Sequence, residues 1–127
     1  MFLQLHLCLS SAFIRWQRIC EKFPGRLEKI FTEEERNHCD AKGKRSADSY
    51  AALWAVREAA GKALGTGILG SGFGDAYLTW TEWGMPQLHL QGKLRERAET
   101  LGVTDIAVSI SHEDGMAAAV VVMEAKS

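Results

Sequence analysis

The stretch Leu53 to Gly67, LWAVREAAGKALGTG, constrains the chain more than any other. It opens on the large apolar pair Leu53 and Trp54, continues through alanines of high helix propensity, and ends in a Gly-Thr-Gly that a helix can hardly pass. A long helix from about Ser46 to Thr66 is therefore predicted, buried through Tyr50, Leu53, Trp54 and Leu64. Glu58 and Lys62 lie four residues apart on it and share one face. An acceptor for a hard cation thus stands beside an ammonium group, followed by a glycine turn whose amides are free to approach an anion. Such a grouping suits a metal-bound pyrophosphate. The plain alternative is a surface salt bridge on a helix that happens to end in glycine.

The rest of the chain bounds what that helix packs against. In 127 residues there is room for one domain, residues 1–127, and little for a second. Hydrophobic residues at 46% and charged ones at 24% exclude disorder as the default state. A net charge of -1 argues against a general nucleic-acid binder. The three cysteines, Cys8, Cys20 and Cys39, are odd in number and form no C-x-x-C pair, which suggests neither a disulfide framework nor a zinc site. Reduced thiols point to the cytoplasm. The opening MFLQLHLCLSSAF lacks a basic segment and is interrupted by Gln4 and His6, unlike a secretory signal. No run approaches the roughly 18 to 20 apolar residues that span a bilayer, so no membrane partner is expected.

Periodicity gives the order of elements. Leu3, Leu5, Leu7 and Leu9 alternate with Gln4, His6 and Cys8, predicting a half-buried strand. Ser10 or Ser11 then caps a helix reaching about Lys22, stopped by Pro24-Gly25. Arg26 to Phe31 is a short amphipathic segment, and Thr32 with Glu35 forms a capping-box pattern opening a helix to about Cys39. Residues 40–45, DAKGKR, read as a basic loop. After a glycine-rich loop, 75–82 alternates as a strand and 87–91 as its hairpin partner. Gly92 to Leu101 is a charged helix ended by Gly102. Residues 105–111 and 116–124 are strands around a turn at His112 to Gly115. The order β-α-α-α-β-β-α-β-β indicates an α+β fold with an antiparallel sheet packed on the long central helix.

Four segments carry a family likeness. Trp54-Ala55-Val56-Arg57-Glu58-Ala59-Ala60-Gly61-Lys62 resembles the W/F-x-x-K-E-x-x-x-K signature of the phosphopantetheinyl transferases, with Arg57 in place of the usual lysine. Ile30 to Glu35, IFTEEE, is similar to I-F-T-x-x-E of the short holo-acyl-carrier-protein synthase branch. Gly84-Met85-Pro86 stands where that branch usually has Gly-Lys-Pro, and Val108 to His112, VSISH, resembles its closing motif. The order and separations agree across nearly the whole chain.

The resemblance implies transfer of the 4'-phosphopantetheine arm of coenzyme A to a serine of apo acyl carrier protein, with magnesium as cofactor and 3',5'-ADP released. It implies Glu58 as metal ligand and Lys62 against the pyrophosphate, together as the catalytic pair. Gly65, Lys44, Arg45 and His112 join Lys62 in holding coenzyme A. Arg18, flanked by Arg15 and Lys22, makes a basic helix face for the acidic carrier protein. A homotrimer with active sites between subunits is expected.

The N-terminal signature of the family, G-x-G-x-D-x-x-x-x-x-R-I, is not matched. Aligned from Arg18-Ile19, its glycines fall on Cys8 and Ser10, and its metal-binding aspartate on Ala12; the first acidic residue is Glu21. Leu53 and Met85 also replace an arginine and a lysine common in bacterial members. A noncatalytic homologue that binds carrier protein or coenzyme A without transfer is the alternative reading.

Overall fold

Alanine governs the architecture, because a helix that presents only methyl groups can lie close against a sheet. The computed structural model describes residues 2–10, 13–67, 73–113 and 116–125. The elements are β1 (Phe2–Ser10), α1 (Phe13–Lys22), α2 (Gly25–Ile30), α3 (Glu33–Asp40), a 3-10 turn at Gly43–Arg45, and α4 (Ser46–Leu64). A second 3-10 turn at Phe73–Asp75 leads to β2 (Ala76–Trp80), β3 (Pro86–Leu90), α5 (Gly92–Leu101), β4 (Val103–Glu113) and β5 (Met116–Ala125). The order is the expected one with one helix more, since the short amphipathic segment before Thr32 forms α2; the class is α+β.

The strands form two antiparallel sheets rather than one: a three-stranded sheet ordered β1-β5-β4 and the β2-β3 hairpin. α4 lies on the larger sheet and meets β5 and β1 most extensively. Along β5 the buried positions are Ala117, Ala119, Val121, Met123 and Ala125, every second residue, as a strand with one covered face requires. On the facing helix Ala51, Ala52, Ala55, Ala59, Ala60 and Ala63 are all buried.

The register of β1 separates its two sequence stripes. Gln4, His6 and Cys8 pair with the buried positions Met123, Val121 and Ala119, whereas Leu3, Leu5 and Leu7 pair with the half-buried Glu124, Val122 and Val120. The leucine stripe therefore shares register with the positions of β5 that alternate with the helix-covered ones. Sequence alternation alone does not say which stripe the helix takes.

Local signals set the smaller elements. Thr32 caps α3: its hydroxyl accepts from Glu35 N at 3.1 Å and its own amide donates to Glu35 Oε1 at 2.9 Å, completing the expected capping box. The last turn of α4 ends on Gly65 at φ 77°, a left-handed conformation that favours glycine. One expectation needs correction: His112 and Glu113 are not turn residues. β4 runs through both, paired with Ala117 and Met116, because its ladder with β5 continues past Ser111; Asp114 and Gly115 lie outside the described residues.

Candidate active site

Glu58 and Lys62 occupy the last two turns of α4, Glu58 half-buried and Lys62 exposed. The helix that carries them is buried on most sides, so these two charges stand where it opens to solvent. They do not form the salt bridge that their spacing permits: the ion pairs among the described residues are Arg57 with Glu35 and Arg95 with Glu99. Both groups thus keep their charge available for a ligand.

The expected use of the glycine turn is corrected. The amides of Gly65, Thr66 and Gly67 all point back into the helix, donating to Lys62 O and to Gly61 O at 3.1 Å. A helix C-terminus exposes carbonyls, and the left-handed turn serves to satisfy them. Arg97 Nε adds a bond to Leu64 O at 3.0 Å. No amide of this turn is free for an anion, which leaves Lys62 as the cationic element of the helix end. Gly65 acts by stopping the helix just past that lysine.

Arg57, which looks like a conservative departure in sequence, is the largest fully buried side chain. Its guanidinium makes a two-point contact with Glu35, Nη2 to Oε1 at 2.6 Å and Nη1 to Oε2 at 2.9 Å, both residues being shielded from solvent. It also donates to Leu53 O and Ile30 O at 3.3 Å and lies 4.7 Å from the Phe31 ring centroid. Glu35 Oε2 further accepts Leu78 N of β2 at 3.1 Å. One pair of side chains therefore joins α2, α3, β2 and α4, one residue away from Glu58. Sequence reasoning misses it because the partners are 22 positions apart and each has a sufficient local explanation.

A cleft opens on another side of α4. His38, Lys42, Ser49, Leu53, Trp80 and Pro86 contribute to its walls, together with Gly84 and Ile110. His38 stacks on Trp80 with ring centroids 3.8 Å apart and planes 10° from parallel. Burial, and next the Lys42 charge, lower the His38 pKa from its ordinary 6.5, while Glu34 opposes them. Met85, between Gly84 and Pro86, is exposed, and its amide is held by Thr81 Oγ1 at 3.1 Å. Leu53, far from being a vacant charge position, is core, 2% exposed.

The helix keeps this cleft apart from Glu58. At about 100° per residue, Glu58 lies roughly 120–180° around α4 from Ser49, Ala52 and Leu53. Lys44 and Arg45 are exposed on the 3-10 turn before α4. They precede Glu58 by 13 or 14 positions, about 20 Å along the axis. His112 is in β4, two positions beyond Ile110, and its side chain lies outside the described residues. One chain brings Glu58 and Lys62 together, and separates them from Lys44 and Arg45.

On α1, Arg15, Arg18 and Lys22 are exposed at spacings of three and four, one continuous face, while Trp16 turns into the core against Phe31 and Trp54. A second cleft between α1 and the start of α4 is bordered by Gln17, Cys20, Glu21, Gly43 and Lys44. Ala12 lies outside the described residues.

The donor set decides what metal the site can hold. Among the described residues no three His, Cys, Asp or Glu side chains converge. The described residues of one chain therefore offer no set that would hold a metal by protein ligands alone. Magnesium, which takes one or two carboxylates and fills its octahedron with phosphate oxygens and water, does fit the single free carboxylate of Glu58 if phosphate arrives with it.

The chain is similar to known proteins along most of its length. The chain is 42% identical over 112 residues to the holo-[acyl-carrier-protein] synthase of Maridesulfovibrio salexigens, covering 87% of this chain and 89% of that one. It is 37% identical over 108 residues to that of Caldanaerobacter subterraneus, covering 85% and 84%. Its fold matches the crystal structure of Helicobacter pylori holo-[acyl-carrier-protein] synthase in complex with coenzyme A with a TM-score of 0.78, at 27% identity over 94% of this chain and 99% of that one. Residues 14–121 match the 4'-phosphopantetheinyl transferase superfamily, and the chain belongs to that family.

Proposed function

We propose that the protein transfers the 4'-phosphopantetheine arm of coenzyme A to a serine of apo acyl carrier protein and releases 3',5'-ADP. The observation that carries this reading is Glu58 and Lys62 at the open end of α4, without an ion-pair partner among the described residues and in the signature positions of the family. In the reaction the serine oxygen attacks the phosphorus that bears the pantetheine. The pyrophosphate P–O bond breaks, its electron pair leaves with 3',5'-ADP, and the serine proton passes to Glu58 or to a water beside it. Lys62 neutralises the nonbridging oxygens as charge builds on the leaving group. Glu58 is the residue that would hold magnesium, which when bound supplies further neutralisation of the phosphates.

The division of α4 into two functional sides supports a homotrimer with sites between subunits. A ligand gripped by Glu58 and Lys62 of one chain would reach the cleft, Lys44, Arg45 and His112 through a neighbouring copy. The exposed Arg15, Arg18 and Lys22 face suits the acidic carrier protein. No helix among the described residues is long and apolar enough to cross a membrane, and the reading places the protein with its substrates in the cytoplasm.

Ala12 favours one second reading, a scaffold that binds carrier protein or coenzyme A without transfer. Intact-mass spectrometry of apo acyl carrier protein incubated with coenzyme A, magnesium and this protein separates the two. A gain of one phosphopantetheine establishes the transferase with one carboxylate. A gain only with Ala12→Asp means a lost metal ligand, and no gain with either leaves the binding role.

A further inference from the structure

α4 is a smooth shaft where its function lies. From Ala55 to Ala63 the buried side chains are Ala55, Val56, Arg57, Ala59, Ala60, Gly61 and Ala63, and only Arg57 is larger than valine. Alanine and glycine surfaces allow close approach but interlock weakly, so packing there sets the distance of the helix from the sheet better than its rotation. Arg57 meets Glu35 at two points and donates to two carbonyls, and Glu35 is itself tied to α3 through Thr32 N and to β2 through Leu78 N. A buried ion pair of this kind is a poor source of net stability, since desolvation offsets most of the attraction. Its directional bonds are what an apolar pair would lack.

We infer that Glu35 and Arg57 are positioning residues: together they key the rotation of α4 and thereby aim Glu58 and Lys62 at the reacting phosphates. The inference rests on the transferase reading above. A rotation of about 10° at a side-chain radius of about 6 Å displaces the Glu58 carboxylate by about 1 Å. Misplacement on that scale costs on the order of 100-fold in rate. The exposed carrier-protein face of α1 is separated from the key by the Trp16 and Phe31 rings, and docking there is left unchanged by it.

The test uses Glu35→Gln/Arg57→Met, which removes both charges while keeping an oxygen acceptor for Leu78 N, and Arg57→Lys, which restores one charged contact. Expected for the double variant is a folded protein whose kcat falls about 100-fold, with a raised magnesium half-saturation and an unchanged KM for carrier protein. Arg57→Lys recovers most of that rate. In the crystal structure of the double variant α4 is turned relative to β5. A folded double variant with kcat within about threefold of the parent overturns the inference, as does loss confined to the KM for carrier protein. If the double variant does not fold, Arg57→Lys decides alone: a kcat and magnesium dependence indistinguishable from those of Arg57→Gln overturns the inference, and a clear recovery over Arg57→Gln upholds it. A parent protein without transfer refutes the proposed function instead, and the rotation of α4 in the double variant then decides the inference by itself.

Discussion

Breaking the buried pair from one side should be far more harmful than removing it from both. Arg57→Met leaves the Glu35 carboxylate, fully shielded from solvent, with Thr32 N and Leu78 N as its remaining donors. An uncompensated buried charge costs about 3–5 kcal/mol. For 127 residues the unfolding entropy is about 0.27 kcal/mol per degree, so the expected fall in Tm is about 11–19 °C. Glu35→Gln should behave similarly, because it strands the guanidinium. The double variant has no buried charge to strand and keeps one acceptor, and should lose only about 1–2 kcal/mol, the scale of a few neutral hydrogen bonds. Urea titrations of the parent and the three variants close a double-mutant cycle, with an expected coupling of several kcal/mol. A loss below about 1 kcal/mol for Arg57→Met, or additivity of the two single changes, would refute the account of this pair.

Three other changes probe separate links. Glu58→Gln removes a charge that has no ion-pair partner among the described residues, so stability should stay within about 0.5 kcal/mol while transfer falls by 100-fold or more, measured by thermal melts and mass spectrometry; unimpaired transfer removes Glu58 from the site. Gly65→Ala should cost about 1 kcal/mol from its left-handed φ alone, whereas at Gly92, φ 57°, a Cβ would also sit 2.6 Å from Oδ1 of Asp75, the carboxylate whose Oδ2 caps α5 by accepting Lys93 N, and Gly92→Ala should cost clearly more; equal Tm values for the two variants would contradict this. The lowered His38 pKa means that the folded state disfavours the protonated ring, so the stabilisation is complete above pH 6.5 and declines as pH falls from there through the lowered value; His38→Gln should flatten that part of a Tm–pH curve, and an unchanged curve would exclude His38 as its source.

What was legible in the sequence was whatever is local. The capping box of Thr32 and Glu35, the glycine stops at Gly65 and Gly102, and the helical spacing of Glu58 and Lys62 each depend on residues within one turn, and each appears in place. The contacts that organise the site are not local. Arg57 finds Glu35 across 22 positions, and Asp75 caps a helix that begins 17 positions later. Glycine at the end of α4 signals a stop, but that the amides of this turn are spent on the helix's own carbonyls depends on geometry that composition does not carry. The separation of the Ser49 and Leu53 cleft from Glu58 follows from helical rotation, yet only the packing of Trp80 and Pro86 reveals that a cleft is there.

The pairing order of the larger sheet bears on how the chain finds this structure. Among the described strands β1 is paired only with β5, and Phe2 lies opposite Ala125. The helices and the β2-β3 hairpin can form from near neighbours, but the sheet beneath α4 closes only when segments from opposite ends of the sequence meet. Long-range strand pairing of this kind slows the search for the native state. Until it is complete, the alanine face of α4 has no floor to rest on, so the C-terminal end of the helix should be among the last parts to acquire protection from hydrogen exchange during refolding.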